Sequence, residues 1–242
     1  MISSEKIKET LEQDGYIVLK NALKNRTVEA LATTVKKIFA AHALAGEDIH
    51  KTCVRLGKED KDLLYRIYQY SQSNLVMDGI RQECFEYAKP LFPEDGIFIA
   101  LDCHVIVNLP DDQRTNWGWH QESTYHPEVE HSIGFWFPFL EPSTKLNGTM
   151  SVLKGSHRMG KLPYTINKPS HDGATTLVPE NIGRYQEKFS EEFCLLDPGD
   201  LLMFDMDIIH HSNPNVSTQP RFTGLFRIAC IKKIPGHFGK IT

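Results

Sequence analysis

Two short segments, far apart in the sequence, carry side-chain types that together could hold a metal ion. His120 and Glu122 are two positions apart, so both side chains would leave one face if residues 117–124 form a strand. A second imidazole could come from His210 or from its neighbour His211. Two imidazole nitrogens and one carboxylate form the facial triad of non-haem Fe(II) sites, which leaves positions open for O₂ and substrates.

The same residue types also have an ordinary structural explanation. A His and a Glu two positions apart are common, and the imidazole could bond a backbone carbonyl beside a surface carboxylate. Arg221 lies eleven positions after His210, where its guanidinium could bind a dicarboxylate through paired hydrogen bonds. The alternative for Arg221 is a surface ion pair at the start of a strand. The two explanations differ in whether the fold buries these side chains together.

The elements that would position these residues change character along the chain. The first part has mainly helical spacing, which predicts helices at 4–13, 23–43 and 60–92 (interrupted near 71–74) and one strand at 16–19. From residue 97 onward, short apolar or alternating runs predict strands at 97–101, 104–107, 132–139, 149–153, 192–196, 201–204 and 222–232. Helices followed by many strands favour an α+β fold with a β-barrel or jelly roll.

No linker or internal repeat is visible in the sequence, so we expect a single domain over 1–242. Residues 1–95 would form mainly helical support, and residues 96–242 a jelly-roll core. A polar stretch that contains Pro and Gly, residues 161–190, interrupts this core, and we interpret it as a lid. Candidates to line a substrate pocket, with packing as the alternative role, are His104, Trp117, Trp119, Tyr125 and His126.

Composition restricts the classes of partner. The formal net charge of −4, without a Lys/Arg block, argues against a nucleic-acid partner. No apolar run is long enough to span a bilayer, and the first residues lack the apolar core of a secretory signal, so we expect a cytoplasmic protein without a membrane partner. The five cysteines are scattered and never at C-x-x-C spacing, which is typical of reduced, packed thiols. Nothing in the sequence defines an oligomeric state.

Several motifs occur in an order that resembles the phytanoyl-CoA dioxygenase family. They are Leu11 to Leu19, Trp119-His120-Gln121-Glu122, Asn147-Gly148, Gly155-Ser156-His157, Pro198-Gly199-Asp200, and His210-x-Ser212-x-x-Asn215-x-Ser217-x-x-x-Arg221. The resemblance covers nearly the whole chain. It implies a double-stranded β-helix, a cupin-like jelly roll, with the N-terminal helices packed on one sheet. It also implies the use of Fe(II), 2-oxoglutarate and O₂.

Carried over by position, the resemblance makes His120, Glu122 and His210 the iron ligands. His210 is favoured over His211 because its spacing to Ser212, Asn215 and Arg221 matches the family pattern. Arg221 would pair with the distal carboxylate of 2-oxoglutarate, and Ser212 would donate a hydrogen bond nearby. Trp136 would line the co-substrate pocket, with plain core packing as its alternative role.

One position departs from the family pattern. Glu122 stands where the family usually has Asp. Glutamate still supplies an oxygen to a metal, so the resemblance continues to imply a hydroxylase. A halogenating relative would need a residue that does not bind metal at this position.

The resulting hypothesis is an Fe(II)/2-oxoglutarate-dependent dioxygenase that hydroxylates an unactivated C–H bond of a small molecule and releases succinate and CO₂. The absence of a basic cluster gives no support for a CoA thioester as substrate. Two alternatives stay open. One is a cupin-type metal dioxygenase that does not use 2-oxoglutarate, and the other is a non-catalytic jelly-roll binding protein.

Overall fold

Helices dominate the N-terminal part of the chain, as predicted. The computed structural model describes residues 2–231 except 73, 94–95, 113–115, 128, 130 and 169–174. The helices in this part are α1 (Ser4–Asp14), α2 (Asn25–Ala40), α3 (Ile49–Glu59), α4 (Lys61–Gln72) and α5 (Val76–Ala88). The predicted interruption near 71–74 is confirmed by the end of α4 and the start of α5. Helix α3 was not predicted.

Local signals explain where α1 begins and ends. The Ser3 hydroxyl accepts a hydrogen bond from the Lys6 N–H at 3.2 Å, which caps the first turn. Gly15 ends the helix in the left-handed conformation at φ 81°, and its N–H bonds the Leu11 carbonyl. The chain then turns directly into strand β1 (Tyr16–Leu19).

The remaining elements are mostly antiparallel strands. They are β2 (Ile97–Asn108), β3 (His131–Pro138), β4 (Met150–Leu153), β5 (Tyr164–Asn167), β6 (Thr176–Pro179), β7 (Glu191–Phe193), β8 (Leu201–Asp205), β9 (His210–Ser212) and β10 (Arg221–Ile231). One sheet has the order β1-β8-β3-β10-β2, and a second has the order β7-β4-β9. Strands β5 and β6 form a separate hairpin. The described chain is therefore α+β with antiparallel sheets, as predicted.

The five-stranded sheet has different neighbours on its two faces. On one face, Phe222 and Phe226 of β10 belong to a core that they share with the helices, and the Phe39 and Phe222 rings meet edge to face at 5.7 Å. On the other face, Trp136 of β3 and Leu225 of β10 pack in a second cluster with residues of the three-stranded sheet. Successive side chains of β10 therefore point alternately into the helical core and into the space between the two sheets.

Residues 161–190 contain more regular structure than their composition predicted. The β5–β6 hairpin lies in this stretch, and helix α6 (Ile182–Lys188) follows it. The part of the predicted lid at 169–174 lies outside the described residues.

The described residues also bear on two compositional predictions. Cys53, Cys84, Cys194 and Cys230 are buried free thiols, as expected. Among the helices of the described part of the chain, none is long and apolar enough to cross a membrane.

Candidate active site

The two histidines of the predicted triad are brought together by direct backbone pairing. His120 and His210 form an isolated antiparallel bridge in which each N–H donates to the other's carbonyl at 3.0 Å. The condition that residues 117–124 form a strand is not met, because His120 is an isolated bridge residue and Glu122–Thr124 is a 3-10 turn. The tight turn, and not the pleat of a strand, directs Glu122 towards the two imidazoles.

The three predicted ligands converge. His120 Nε2 lies 3.7 Å from Glu122 Oε1, and His210 Nε2 lies 3.5 Å from the same oxygen. All three possible ligand atoms fall within 4.8 Å of one another. Each residue is at most 5% exposed. Two nitrogens and one carboxylate oxygen therefore face a single buried point, which is the donor set of a facial triad.

Hydrogen bonds on the far side of each ring prepare the imidazoles for this role. His120 Nδ1 lies 2.6 Å from the Gly118 carbonyl, and His210 Nδ1 lies 3.0 Å from the Ile208 carbonyl. A carbonyl can only accept, so each ring carries its proton on Nδ1 and presents a bare Nε2. These residues therefore fit a divalent metal ion as they stand.

Burial and local charge favour the protonation states that a metal requires. Burial, followed by the neighbouring His120, lowers the pKa of His210 and favours a neutral ring. Burial alone would raise the pKa of Glu122, but the charge of the neighbouring Arg227 opposes it, and that pKa lies well below its ordinary value. Neutral imidazoles and an ionised carboxylate are the ligand forms that bind metal.

The residue between the first two ligands connects the site to the segments around it. Gln121 is fully buried, and its side chain points away from the triad. Its amide group donates to the carbonyls of Gly160 and Asp207, and its oxygen accepts from the Leu162 N–H at 2.9 Å. Asp207 precedes His210 by three residues, so one side chain ties together the two segments that carry the ligands.

His211 lies away from the triad. Its ring stacks on Trp119 with the centroids 3.9 Å apart, and its Nε2 lies 3.3 Å from Glu191 Oε1. Adjacent residues of a strand face opposite sides, so only His210 can join His120. Trp119 belongs to this outer pair, and its proposed role in lining the pocket is not supported by this arrangement.

A cavity of about 420 Å³ opens beside the triad. Four of the five candidate lining residues, His104, Trp117, Tyr125 and His126, contact it. One face of α4 forms part of its wall, and the residues of that face recur at helical spacing: Lys61, Leu64, Tyr65, Tyr68 and Gln72. The cavity therefore places a mainly aromatic and apolar surface next to the possible metal ligands.

Of the three predicted co-substrate residues, two line the cavity, and Arg221, which is not one of its lining residues, contacts one of those two. The two lining residues are Trp136 and Ser212. Arg221 is 2% exposed, and its guanidinium lies 5.2 Å from the centre of the Trp136 ring. Arg221 Nε donates to the Asn147 carbonyl and Nη1 to the Thr223 hydroxyl, each at 3.1 Å. The surface ion pair considered from the sequence is therefore wrong.

A half-buried acid, Glu141, lies near Arg221. Its Oε1 accepts a hydrogen bond from the Phe222 N–H at 2.8 Å. Burial raises the pKa of Glu141 to about 7, although the Phe222 N–H and the charges of Arg221 and Lys36 oppose this shift. Burial likewise lowers the pKa of Arg221 to about 10, and the Glu141 charge opposes that shift, so the guanidinium stays cationic at neutral pH.

Glu141 gives the fold a pH dependence that one substitution should remove. Its pKa is higher in the folded protein than the ordinary value of 4.5, so its stabilising contribution is complete below about 4.5 and is lost as pH rises through about 7. Relative to E141Q, which keeps the acceptor for Phe222, the wild-type protein should lose unfolding free energy between pH of about 5 and 8. Urea denaturation of both proteins measures this difference. An equal change in both would contradict it, and E180Q, at an exposed position, is the control.

The sequence interpretation missed one charged residue of the site, Arg227. Its guanidinium lines the cavity, and Nη2 lies 2.5 Å from Glu122 Oε2. A signal was present, because Arg227 is the one charged residue between Arg221 and Lys232 in a predicted apolar strand. A charge within a buried strand is a candidate for a functional partner.

Comparisons with known proteins identify the family to which the chain belongs. The family model "Phytanoyl-CoA dioxygenase (PhyH)" matches residues 11–223. The chain is 31% identical, over 107 residues, to a phytanoyl-CoA dioxygenase domain-containing protein 1 homolog of Dictyostelium discoideum; the match covers 42% of this chain and 36% of that relative. It is 21% identical, over 223 residues, to 1-deoxypentalenic acid 11-beta-hydroxylase of Streptomyces arenae, with 86% of this chain and 74% of the relative covered.

A solved structure supports the fold. EvdO2 from Micromonospora carbonacea var. aurantiaca, complexed with 2-oxoglutarate, superposes with a TM-score of 0.61 at 18% identity. The superposition covers 96% of this chain and 92% of EvdO2. The likeness therefore extends over the helices and both sheets.

Proposed function

The chain belongs to the phytanoyl-CoA dioxygenase family, and from this premise we propose that it is an Fe(II)/2-oxoglutarate-dependent dioxygenase that hydroxylates a small molecule. The observation that carries the proposal is the convergence of His120, Glu122 and His210 beside a cavity. These three residues would hold the iron. When bound, Fe(II) and 2-oxoglutarate supply the oxidising power that places one oxygen atom of O₂ into a C–H bond, with succinate and CO₂ as co-products.

The protein's own contribution begins with orientation. Arg221 would bind the distal carboxylate of 2-oxoglutarate, because a buried guanidinium presents a planar fork of donors. Ser212 would add a hydrogen bond, and the Trp136 ring would form one wall of the co-substrate pocket. The contacts of Arg221 with Asn147 and Thr223 keep the guanidinium in place before any ligand arrives.

The fold that we infer is a single domain with a double-stranded β-helix at its centre. The packing of Trp136 and Leu225 against the three-stranded sheet supports two facing sheets with the site between them. Residues 1–95 would buttress the outer face of the five-stranded sheet, and residues 96–242 would form the jelly-roll core. Clamping a metal between strands that are distant in sequence requires such an arrangement.

The cavity favours a small molecule as substrate. Its volume of about 420 Å³ lies within the usual range for small-ligand sites, and its walls are mainly apolar and aromatic. Because α4 contributes a whole face, that helix would select among substrates. The proposed metal ligands lie on β9, on the residue bridged to it and on the 3-10 turn, whereas the selecting wall lies on a helix outside the sheets.

The burial of Arg221 weighs against the two other hypotheses. A cupin-type dioxygenase that does not use 2-oxoglutarate has no need for a cationic fork beside its metal. A non-catalytic jelly roll has no need for two tautomer-fixed imidazoles that face a carboxylate. With a pKa of about 7, Glu141 is only partly ionised at neutral pH and compensates the buried charge of Arg221 only in part, so an anionic ligand would complete the compensation.

The proposed activity is tested by measuring succinate formation. The purified protein, with Fe(II), 2-oxoglutarate and O₂, is screened against small apolar and amphipathic metabolites. We expect one succinate for each hydroxylated product with the correct substrate, and slow succinate formation without substrate. Succinate formation that does not depend on Fe(II) would contradict the proposal.

Residues 161–190 are our candidate for a lid over the cavity. The Leu177 N–H of β6 donates to the Tyr125 hydroxyl at 2.9 Å, and Tyr125 lines the cavity. The Leu162 N–H bonds Gln121 at the start of the same segment. Residues 161–190 are therefore hydrogen-bonded to Gln121, which lies between the proposed ligands His120 and Glu122, and to Tyr125, three residues after Glu122.

Removing the Tyr125 hydroxyl should loosen this lid. Loss of one hydrogen bond destabilises the closed hairpin by about 1 kcal/mol, so Y125F should be cleaved about fivefold faster within 161–190 during limited proteolysis. Y70F, at an exposed position on α4, is the matched control. Cleavage of Y125F at the wild-type rate, or wild-type cleavage that is unaffected by Fe(II) and 2-oxoglutarate, would contradict the assignment.

A further inference from the structure

Strand β10 carries a second buried arginine besides Arg221. Arg227 lies six residues later, so both side chains leave the same face of β10, towards the space between the sheets. Phe222 and Phe226 leave the opposite face and pack in the helical core. Arg221 contacts Trp136, whereas Arg227 reaches the metal-ligand carboxylate directly.

The two oxygens of Glu122 have different neighbours. Oε1 lies 3.7 Å and 3.5 Å from the Nε2 atoms of His120 and His210. Oε2 lies 2.5 Å from Arg227 Nη2, and the two side chains of this pair are only 6–7% exposed. Charge-assisted hydrogen bonds of this length are strong and directional. One oxygen is therefore directed at the imidazoles, while the other is held by the guanidinium.

The length of the Glu122 side chain makes this division possible. Glu122 begins a 3-10 turn, and Arg227 projects from a strand of the five-stranded sheet. An aspartate at the same position is shorter by one methylene, so with this backbone its carboxylate would lie farther from the imidazoles or from Arg227 than that of Glu122. Glu122, which stands where the family usually has Asp, and the buried Arg227 therefore form one interacting pair.

Resting on the proposed function, we propose that Arg227 is a positioning residue that restricts Glu122 to presenting a single oxygen, Oε1, to the metal. A facial triad functions because it leaves positions open for co-substrate and O₂. A carboxylate that offered both oxygens would compete for one of those positions. Arg227 prevents this by occupying Oε2, and it thereby keeps the site accessible to 2-oxoglutarate.

A purely stabilising role explains the contact less well. A buried ion pair is often no more stabilising than an apolar pair of similar volume, because desolvation opposes the attraction. Direct recognition of 2-oxoglutarate by Arg227 is a different hypothesis, in which the identity of residue 122 would not matter. The dependence on residue 122 therefore separates the three roles.

The test measures binding of 2-oxoglutarate under anaerobic conditions, without turnover. Wild type, R227M, E122D and E122D/R227M are loaded with Fe(II), and 2-oxoglutarate is titrated while visible charge-transfer absorbance is recorded. A parallel Co²⁺ titration measures metal affinity. We expect R227M to weaken 2-oxoglutarate binding about tenfold with Glu at 122, and less than threefold in the E122D background. Such non-additivity is the signature of two residues that act together.

Two results would overturn the inference. One is unchanged 2-oxoglutarate affinity in R227M, and the other is an equal loss in both backgrounds, which would indicate direct binding or a structural role. If R227M does not fold, R227K replaces it, because the shorter lysine side chain cannot bring its ammonium to the same position. R227K should then lower the affinity for 2-oxoglutarate about threefold when residue 122 is Glu, and not in the E122D background. A wild-type protein that binds neither Fe(II) nor 2-oxoglutarate would instead refute the proposed function.

Discussion

H210A should lose Fe(II)-dependent succinate formation by at least about 100-fold, more than the loss caused by residues that only orient a metal ligand. His210 contributes one of the two Nε2 atoms that face Glu122, and its side chain is fully enclosed. Without it, two ligands remain, which is too few to hold a divalent ion firmly. Metal content after anaerobic loading and rate of succinate formation are the measurements.

The adjacent histidine provides a matched control for H210A. His211 stacks on Trp119 and pairs with Glu191 outside the triad, so H211A should keep wild-type metal binding and most of the activity. Both substitutions remove one imidazole from the same strand, β9. Equal losses in the two variants, or a larger loss in H211A, would show that the assignment of the distal ligand is wrong.

R221A should raise the KM for 2-oxoglutarate by about 100-fold, while metal affinity stays unchanged. Truncating one partner of a buried, hydrogen-bonded charge pair costs about 2–5 kcal/mol of binding free energy. A tenfold change in affinity corresponds to about 1.4 kcal/mol. Arg221 contacts Trp136, Asn147 and Thr223 but none of the triad residues, so its loss should affect the co-substrate alone. Steady-state kinetics and a Co²⁺ titration measure the two effects separately.

R221K completes this experiment. Lysine keeps the positive charge but lacks the planar fork, so R221K should lie between wild type and R221A in its KM for 2-oxoglutarate. Thermal unfolding of all three proteins controls for loss of the fold. If R221A retains the wild-type KM, 2-oxoglutarate does not bind at Arg221, and a cupin-type reaction without this co-substrate becomes the better explanation.

The chemistry of the site was more predictable than its backbone. Residue type and spacing pointed to His120 and Glu122, while the family resemblance favoured His210 over His211 and gave Arg221 its expected role. The backbone that carries Glu122 was considered as a strand and is a 3-10 turn, since a segment that pairs at a single residue has no period to recognise. His120 and Glu122 nevertheless face the same point, as the spacing of two predicts for a strand. The bridge at His120 and the turn at Glu122 together bring the two side chains to one side.

Arg227 shows what a single pattern cannot reveal. Its partner, Glu122, is more than one hundred residues away, and the contact depends on how β10 lies relative to the turn at Glu122. The periodicity of residues within β10 does not show which distant segment of the chain will lie next to that strand. Arg221 was found because a resemblance marked its position, whereas Arg227 had only its unusual place in an apolar strand.

The elements that were missed have weak local signals. Helix α3, which was not predicted from the sequence, buries Thr52, Cys53 and Leu56, a short stripe between polar positions. Helix α6 buries none of its residues fully, and only Ile182 and Tyr185 pack against a core cluster, so its apolar face is too short to recognise. Strong signals, in contrast, were reliable: in α2 the apolar residues at helical spacing, Val28, Leu31 and Val35, are all buried as predicted.

Anaerobic addition of Fe(II) and then 2-oxoglutarate to the wild-type protein tests the central claim most directly. If His120, Glu122 and His210 hold the iron and Arg221 holds the co-substrate, a visible charge-transfer band should appear only when both are present, saturate at one equivalent of iron, and be lost in H210A. A protein that develops no band with both components, or whose band persists at full intensity in H210A, would contradict the assignment of this site.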